Sequence, residues 1–311
     1  MNIRRLRSTV QTTTMKPRLI VIGGPTASGK TALAIEVAKH FGTEIISGDS
    51  RQFYTEMKIG NARPTEEELA QVPHHFIADR SLMDPLTAGR FAEQALDLLE
   101  KLFERHEVVV LTGGSGLYLR ALCEGLDVFP DVTEAAQTQV QKMVEEQGLP
   151  GLQAELERLD PAYFASVDQQ NARRLERALK VSLSSGKPYS SFLGNRPERP
   201  FTCEYFTTSL PRPELYDRIN RRVELMLEAG LEAEAITLRP FRHLPVLQTV
   251  GYRDWWPYFD GEYSRERAVE LIRQNSRRYA KRQVTWFRKG GHYKTVNGLV
   301  DIVRELDKVP E

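Results

Sequence analysis

Leu19-Ile20-Val21-Ile22-Gly23-Gly24-Pro25-Thr26-Ala27-Ser28-Gly29-Lys30-Thr31 is the stretch on which the fold turns. Its first four residues form an apolar run of the kind a buried strand needs. Gly24 to Thr31 then completes a G-x-x-x-x-G-K-T phosphate-binding loop, and Ala32 to His40 continues as a helix with Leu33, Val37 and Phe41 recurring on one side. Strand, glycine loop and helix together are the context that this motif requires. In such a loop the backbone N–H groups curl toward phosphate oxygens, and the helix N-terminus favours negative charge. Gly24, Pro25, Thr26, Ala27, Ser28, Gly29, Lys30 and Thr31 are therefore the candidate cradle for a diphosphate or triphosphate. Lys30 would reach the terminal phosphates, and the Thr31 hydroxyl would sit on Mg²⁺. The loop alone does not say whether its ligand is a nucleotide.

Outward from the loop, Thr43 to Ser47 (TEIIS) is a second strand, ending in Gly48-Asp49-Ser50. Phe91 to Glu104 is a helix with an apolar stripe, and Val108 to Leu111 is a buried strand leading into Thr112-Gly113-Gly114-Ser115-Gly116. Strands alternating with helices predict an α/β fold, a P-loop NTPase-like parallel sheet flanked by helices. Ligands of such sheets lie beyond the carboxyl ends of the strands, so Lys30, Asp49 and Ser115 should converge on one crevice.

Strand-like runs vanish between residues 131 and 200, which predicts an all-helical insertion domain. Residues 18–130 and 201–311 then form the catalytic domain, with a strand over Phe201 to Leu210 and helices over Arg212 to Ala229 and Arg265 to Phe287. Residues 1–17 are basic and free of acids. They are set aside as a loose tail, or as the product of a start upstream of Met15.

Composition narrows the function classes. The formal charge is +1, so no global preference for nucleic acid is evident, and no apolar run is long enough to span a bilayer. Two cysteines, Cys123 and Cys203, lie far apart without a C-x-x-C spacing, which argues against a zinc site and fits a reducing, cytoplasmic setting. His74 and His75 are adjacent, and on an extended chain they point to opposite faces, so they cannot grip one ion together.

ATP- and GTP-hydrolysing P-loop proteins usually hold Mg²⁺ with an Asp at the end of a second buried strand. Val108 to Leu111 is followed by Thr112-Gly113-Gly114, with no acid. Asp49 is the acid at a strand end near the loop. It could be a helix cap, a metal-associated group, or a general base facing the phosphates. Two one-signed stripes also stand out. Arg173, Arg174, Arg177 and Lys180 share a helical segment. Arg273, Arg277, Arg278, Lys281 and Arg282 lie in another, where Arg265 to Lys289 holds nine basic residues against two acids. Tyr279, Trp286 and Phe287 are interleaved, a pattern suited to a phosphodiester backbone.

In order, GPTASGKT (Gly24 to Thr31), DSRQFY (Asp49 to Tyr54), PHHFI (Pro73 to Ile77), GGSGLYL (Gly113 to Leu119), RRLERAL (Arg173 to Leu179), GKP (Gly186 to Pro188), VGY (Val250 to Tyr252) and AKRQVTWFRK (Ala280 to Lys289) resemble the tRNA dimethylallyltransferase, or tRNA isopentenyltransferase, family over nearly the whole chain. The resemblance implies transfer of a dimethylallyl group from dimethylallyl diphosphate to N6 of an adenosine next to the tRNA anticodon, with release of pyrophosphate. It implies that Asp49 takes the proton, and that Lys30, Thr31 with Mg²⁺, Ser115 and Arg222 stabilise the departing pyrophosphate. Asp49, Ser50, Arg51, Gln52, Ser115, Arg173, Arg174, Leu175, Glu176, Arg177, Arg277, Arg278, Lys281, Arg282 and Gln283 would hold the tRNA. Ser115 stands where the family more often has Thr, and keeps the hydroxyl. A cytoplasmic monomer without membrane contact is expected. The nearest rival is an adenylate isopentenyltransferase acting on free nucleotides, which would need neither the insertion nor the basic helix. A P-loop kinase and a non-catalytic RNA-binding module are more distant, and the latter leaves Asp49 without a role.

Overall fold

Successive residues of the opening strand enter two different cores. Leu19 and Val21 pack with Ile46, Val109 and Leu111 on one side, while Ile20 and Ile22 pack with Ile45, Val108 and Val110 on the other. A strand buried on both faces has no polar face to alternate with, which is why its sequence is uniformly apolar. The computed structural model describes residues 16–289 and 291–308. Its strands are β1 (Arg18–Gly23), β2 (Ile45–Ser47), β3 (His74–His75), β4 (Val108–Gly113), β5 (Thr202–Thr208) and β6 (Lys294–Val296). They form one six-stranded sheet in the order β3-β2-β4-β1-β5-β6. Every pairing is parallel. The α/β, P-loop-like architecture read from the sequence is the one observed.

The helix Lys30–Phe41 covers one face, burying Leu33, Ala34, Val37 and Ala38 against β1 and β4 together with Ile302. The helix Ala88–Phe103 covers the other with Phe91, Ala95, Leu99 and Leu102. Two short strands had no sequence signal. Pairing with β2 makes β3 of the two histidines, and pairing with β5 makes β6. His74 Nδ1 lies 2.8 Å from Val72 O and His75 Nε2 lies 2.7 Å from Glu44, so the two rings serve separate partners.

The chain divides into two compact units, one ending at Cys123 and resuming at Arg199, the other Glu124–Glu198. The second is helical. Glu134–Leu159 bends where Gly148 takes a non-helical φ of 61° ahead of Pro150, and Val140, Leu152 and Leu156 bury against Leu175, Ala178 and Leu179 of Ala172–Ser185. Of the N-terminal tail, residues 1–15 lie outside the described residues. Pro17 is not loose: its carbonyl accepts from Thr202 N at 2.9 Å. No helix among the described residues is long and apolar enough to cross a membrane.

Candidate active site

Strand register brings the candidate loops together. Gly23 pairs with Gly113, Val21 with Leu111, and Ser47 with Thr112, so β1, β2 and β4 end at one level. The Gly48 N–H donates to Thr112 O at 2.7 Å. A Cβ on Gly113 would stand 2.6 Å from the Gly48 backbone, so side chains there would force the Asp49 turn away from β4. Beyond the strand ends the phosphate loop curls with φ of 64° at Ala27 and 90° at Gly29.

A cavity of about 590 Å³ opens there, lined by Thr26 to Thr31, Asp49, Gln52, Asn61, Ala62, Glu68 and Arg222. That volume is within the range of small-ligand sites. Its lining sets the cations Lys30, Lys58, Arg63 and Arg222 against the carboxylates Asp49, Glu66 and Glu68. A smaller cavity of about 60 Å³ adjoins it, sharing Thr26, Asp49 and Arg222 and adding the apolar Ile219, Val223, Val250 and Ile272. Lys30, Asp49 and Arg222 thus come to one place from three segments. Burial pushes the Lys30 ammonium down from 10.5 to about 8, with Asp49 opposing and Arg222 reinforcing the shift. Burial also lowers the Arg222 guanidinium from its ordinary value, with Glu68 and Asp49 opposing. Its Nη1 donates to Thr26 Oγ1 at 3.0 Å, which docks the helix Arg212–Glu228 on the phosphate loop.

Several anticipated residues occupy other positions than their expected roles suggest. Ser115 lines neither cavity. Its hydroxyl accepts from Ser50 N at 3.0 Å and lies 2.9 Å from Ser50 Oγ, so it braces the Asp49 turn. Gln283 is buried in the cavity wall: its Oε1 accepts from Thr26 N at 3.0 Å and its Nε2 donates to Gly114 O at 2.9 Å. It ties the two glycine loops to the basic helix Arg265–Lys289. Leu175 is fully buried in the helical unit and offers no side-chain surface to a ligand, which corrects its place among the tRNA contacts. Arg173, Arg174 and Arg177 are exposed, and Glu176 lies 3.4 Å from Lys180.

The basic helix presents two faces. Arg278, Lys281 and Arg282 are exposed. Arg277 instead donates to Asn220 Oδ1 at 2.6 Å, and Arg273 lies 3.4 Å from Glu224, both on Arg212–Glu228. Arg51 stacks its guanidinium 4.2 Å from the Tyr279 ring centroid. Burial raises the Tyr279 hydroxyl, Arg51 opposing and Asp49 reinforcing. Sequence reasoning missed Asn61 and Ala62 as lining residues, since a loop wall carries no periodic pattern.

Among the described residues no group of three or more His, Cys, Asp and Glu could hold a metal by itself. A hard divalent cation such as Mg²⁺ is commonly held by one or two protein oxygens plus substrate phosphates. The Thr31 hydroxyl and the Asp49 carboxylate in the same cavity are donors of that class.

A family model described as IPP transferase matches residues 52–290. A tRNA dimethylallyltransferase of Christiangramia forsetii is 49% identical over 276 residues, which cover 88% of this chain and 91% of the relative. Among solved structures, the full-length tRNA isopentenylpyrophosphate transferase of Bacillus halodurans is 34% identical with a TM-score of 0.68, over 94% of each chain. A eukaryotic dimethylallyltransferase acting on tRNA shares the fold at 23% identity and a TM-score of 0.76, over 90% of this chain and 73% of that one.

Proposed function

The chain belongs to the IPP transferase family, and on that premise we propose that it transfers the dimethylallyl group of dimethylallyl diphosphate to N6 of an adenosine next to the anticodon of tRNA. The observation that carries this reading is the meeting of Asp49, Lys30 and Arg222 in one cavity beside a β4 strand that ends without an acid. A nucleotide-hydrolysing site would want its metal-holding Asp at that strand end. A group-transfer site instead wants a base on one side of the electrophile and cations on the other.

The amine nitrogen forms a bond to C1 of the dimethylallyl group as the C1–O bond breaks, and the electron pair leaves with pyrophosphate. Asp49 takes the proton that the amine loses, a contribution typically worth about 10²–10⁴-fold. Lys30, Arg222 and the phosphate-loop N–H groups hold the diphosphate, and stabilise the charge that builds on it. Thr31 would hold Mg²⁺ together with the diphosphate oxygens, and the ion when bound would neutralise part of the diphosphate charge. Ser115 acts by fixing the turn that carries Asp49, together with Ser50.

An adenine within an anticodon loop has to leave its stack to be reached, at a cost of a few kcal/mol. Phosphate contacts can offset that cost. The exposed Arg278, Lys281 and Arg282 are assigned to them, with Arg51 and Gln52 beside the cavity. Arg173, Arg174 and Arg177 of the helical unit are assigned to the same task. The protein is taken to work as a cytoplasmic monomer.

Incubation with dimethylallyl diphosphate and bulk tRNA, followed by nucleoside mass analysis, tests the reading. The expected product is adenosine heavier by one five-carbon unit. Gain on free AMP with none on tRNA would replace this reading with nucleotide prenylation.

A further inference from the structure

Glu234 lies outside the cavity, yet its carboxylate gathers an unusual set of donors. Its Oε2 accepts from Lys58 N at 2.8 Å and Ile59 N at 2.7 Å. Its Oε1 accepts from Gly60 N at 2.9 Å and the Tyr252 hydroxyl at 2.6 Å. Three successive backbone amides and a phenol therefore close on one side chain that comes from a distant helix, Leu231–Leu238. Hydrogen bonds to an ionised acceptor are roughly twice as strong as neutral ones. Tyr252 is fully buried. Burial raises its hydroxyl well above the ordinary range, and Glu234 adds to this, so it stays a donor.

The loop so gripped is a wall of the active site. Asn61 and Ala62 line both cavities. Ala62 is held at a φ of 51°, with its N–H donating to Ile59 O at 3.0 Å. A Cβ on Gly60 would stand 2.5 Å from the Tyr252 ring, so the loop lies flat on that ring only because the position is glycine. From the loop, bonds run straight to the Asp49 turn. Gln52 Nε2 donates to Ala62 O at 3.1 Å and Asn61 Nδ2 to Arg51 O at 3.1 Å. Ser47 Oγ donates to Gln52 Oε1 at 3.2 Å and accepts from Asp49 N at 3.4 Å. Each end of this relay is buried or half-buried, and no step needs a water.

We infer that Glu234 is a positioning residue for the transfer: by clamping Lys58, Ile59 and Gly60 it sets the loop that holds Gln52 and Arg51, and through them the turn bearing Asp49. The inference rests on the prenyl-transfer reading and adds to it a residue that touches neither substrate. Glu234→Gln keeps the size but removes the charge and turns a donor amide toward at least one of the N–H groups.

The test combines steady-state kinetics with backbone hydrogen exchange on the unliganded full chain. Glu234→Gln is expected to lose protection at residues 58–60 while β1 and β4 keep theirs. Its kcat should fall on the order of 10²-fold, as misplacement far from the chemistry can cause, with the KM for tRNA within a few-fold of wild type. Tyr252→Phe removes one of the four donors and keeps the ring under Gly60, so a smaller loss in the same direction is expected even if the first variant folds poorly. Wild-type kcat in a deprotected variant would overturn the inference. Uniform loss of protection across the sheet would do so too, by making Glu234 a stability residue. Absence of transfer in the wild-type protein would instead refute the reading beneath it, so the two failures are told apart.

Discussion

Lys30 is asked to be charged in a place that disfavours charge. Burial holds its ammonium down at about 8 against 10.5 for the free side chain. Between those two values the folded protein has lost a proton that the unfolded chain keeps, so stability rises with pH across that window. Below it the folded protein carries the desolvation penalty in full. Lys30→Met should therefore raise the unfolding free energy by about 1 kcal/mol at neutral pH, measured by urea denaturation, while abolishing transfer, in line with the usual trade between stability and function. A less stable variant would mean that the ammonium is not penalised. In the wild-type enzyme the same shift predicts that KM for dimethylallyl diphosphate climbs as pH rises past about 8, because Lys30 discharges. A flat KM up to pH values well above that point would take Lys30 out of diphosphate binding. Asp49 has its own test in the rate: Asp49→Ala should cost about 10²–10⁴-fold in single-turnover rate and leave tRNA affinity, by filter binding, within a few-fold. A near-normal rate would end its role as the base.

At the scale of elements, the legible parts were those whose signal is local. β1, the phosphate loop and its helix follow from one contiguous run, and β4 from another, because a doubly buried strand and a glycine turn each announce themselves in a few residues. The basic helix Arg265–Lys289 was legible as a helix and only partly as a surface. Counting charges within it finds one sign from Arg273 onward, but Arg277 and Arg273 meet Asn220 and Glu224 on Arg212–Glu228, partners about fifty residues away in sequence that no helical repeat reveals. The loop clamp at Glu234 was hidden for the same reason, since its donors are backbone groups and carry no residue type. The two kinds of arginine on the one helix should behave differently. Arg282→Ala is expected to reduce the slope of log affinity against log salt by about 0.7 for a single-strand phosphate contact, with an unchanged thermal midpoint. Arg277→Ala is expected to lower the midpoint by a few degrees and to leave the slope nearly intact. Reversed behaviour would show that Arg277, despite its bond to Asn220, faces the RNA.

For the molecule as a whole, two compact units imply a division of labour that kinetics can read. Everything identified with the diphosphate, Lys30, Thr31, Asp49 and Arg222, belongs to the unit that carries the sheet. The helical unit Glu124–Glu198 contributes no residue to that cavity, and its own core is closed by Leu175, Leu179 and their neighbours. Its exposed cations, Arg173, Arg174 and Arg177, line neither cavity, and their proposed contact with tRNA is a binding role that kinetics can separate from the chemistry. Arg177 also lies 5.1 Å from the Phe129 ring centroid, which steadies the guanidinium without neutralising it. Replacing all three by Ala should raise KM for tRNA and remove up to about 0.7–0.9 of salt slope per lost contact. KM for dimethylallyl diphosphate and the rate at saturating tRNA should hold, because transition-state contacts are untouched when only uniform binding is removed. Steady-state kinetics at two salt concentrations measure both quantities in one series. If the diphosphate KM moved in parallel with that for tRNA, the two units would not divide the work. If neither moved, the arginine stripe would be a solvated helix face, and RNA contact would fall to the sheet-bearing unit alone.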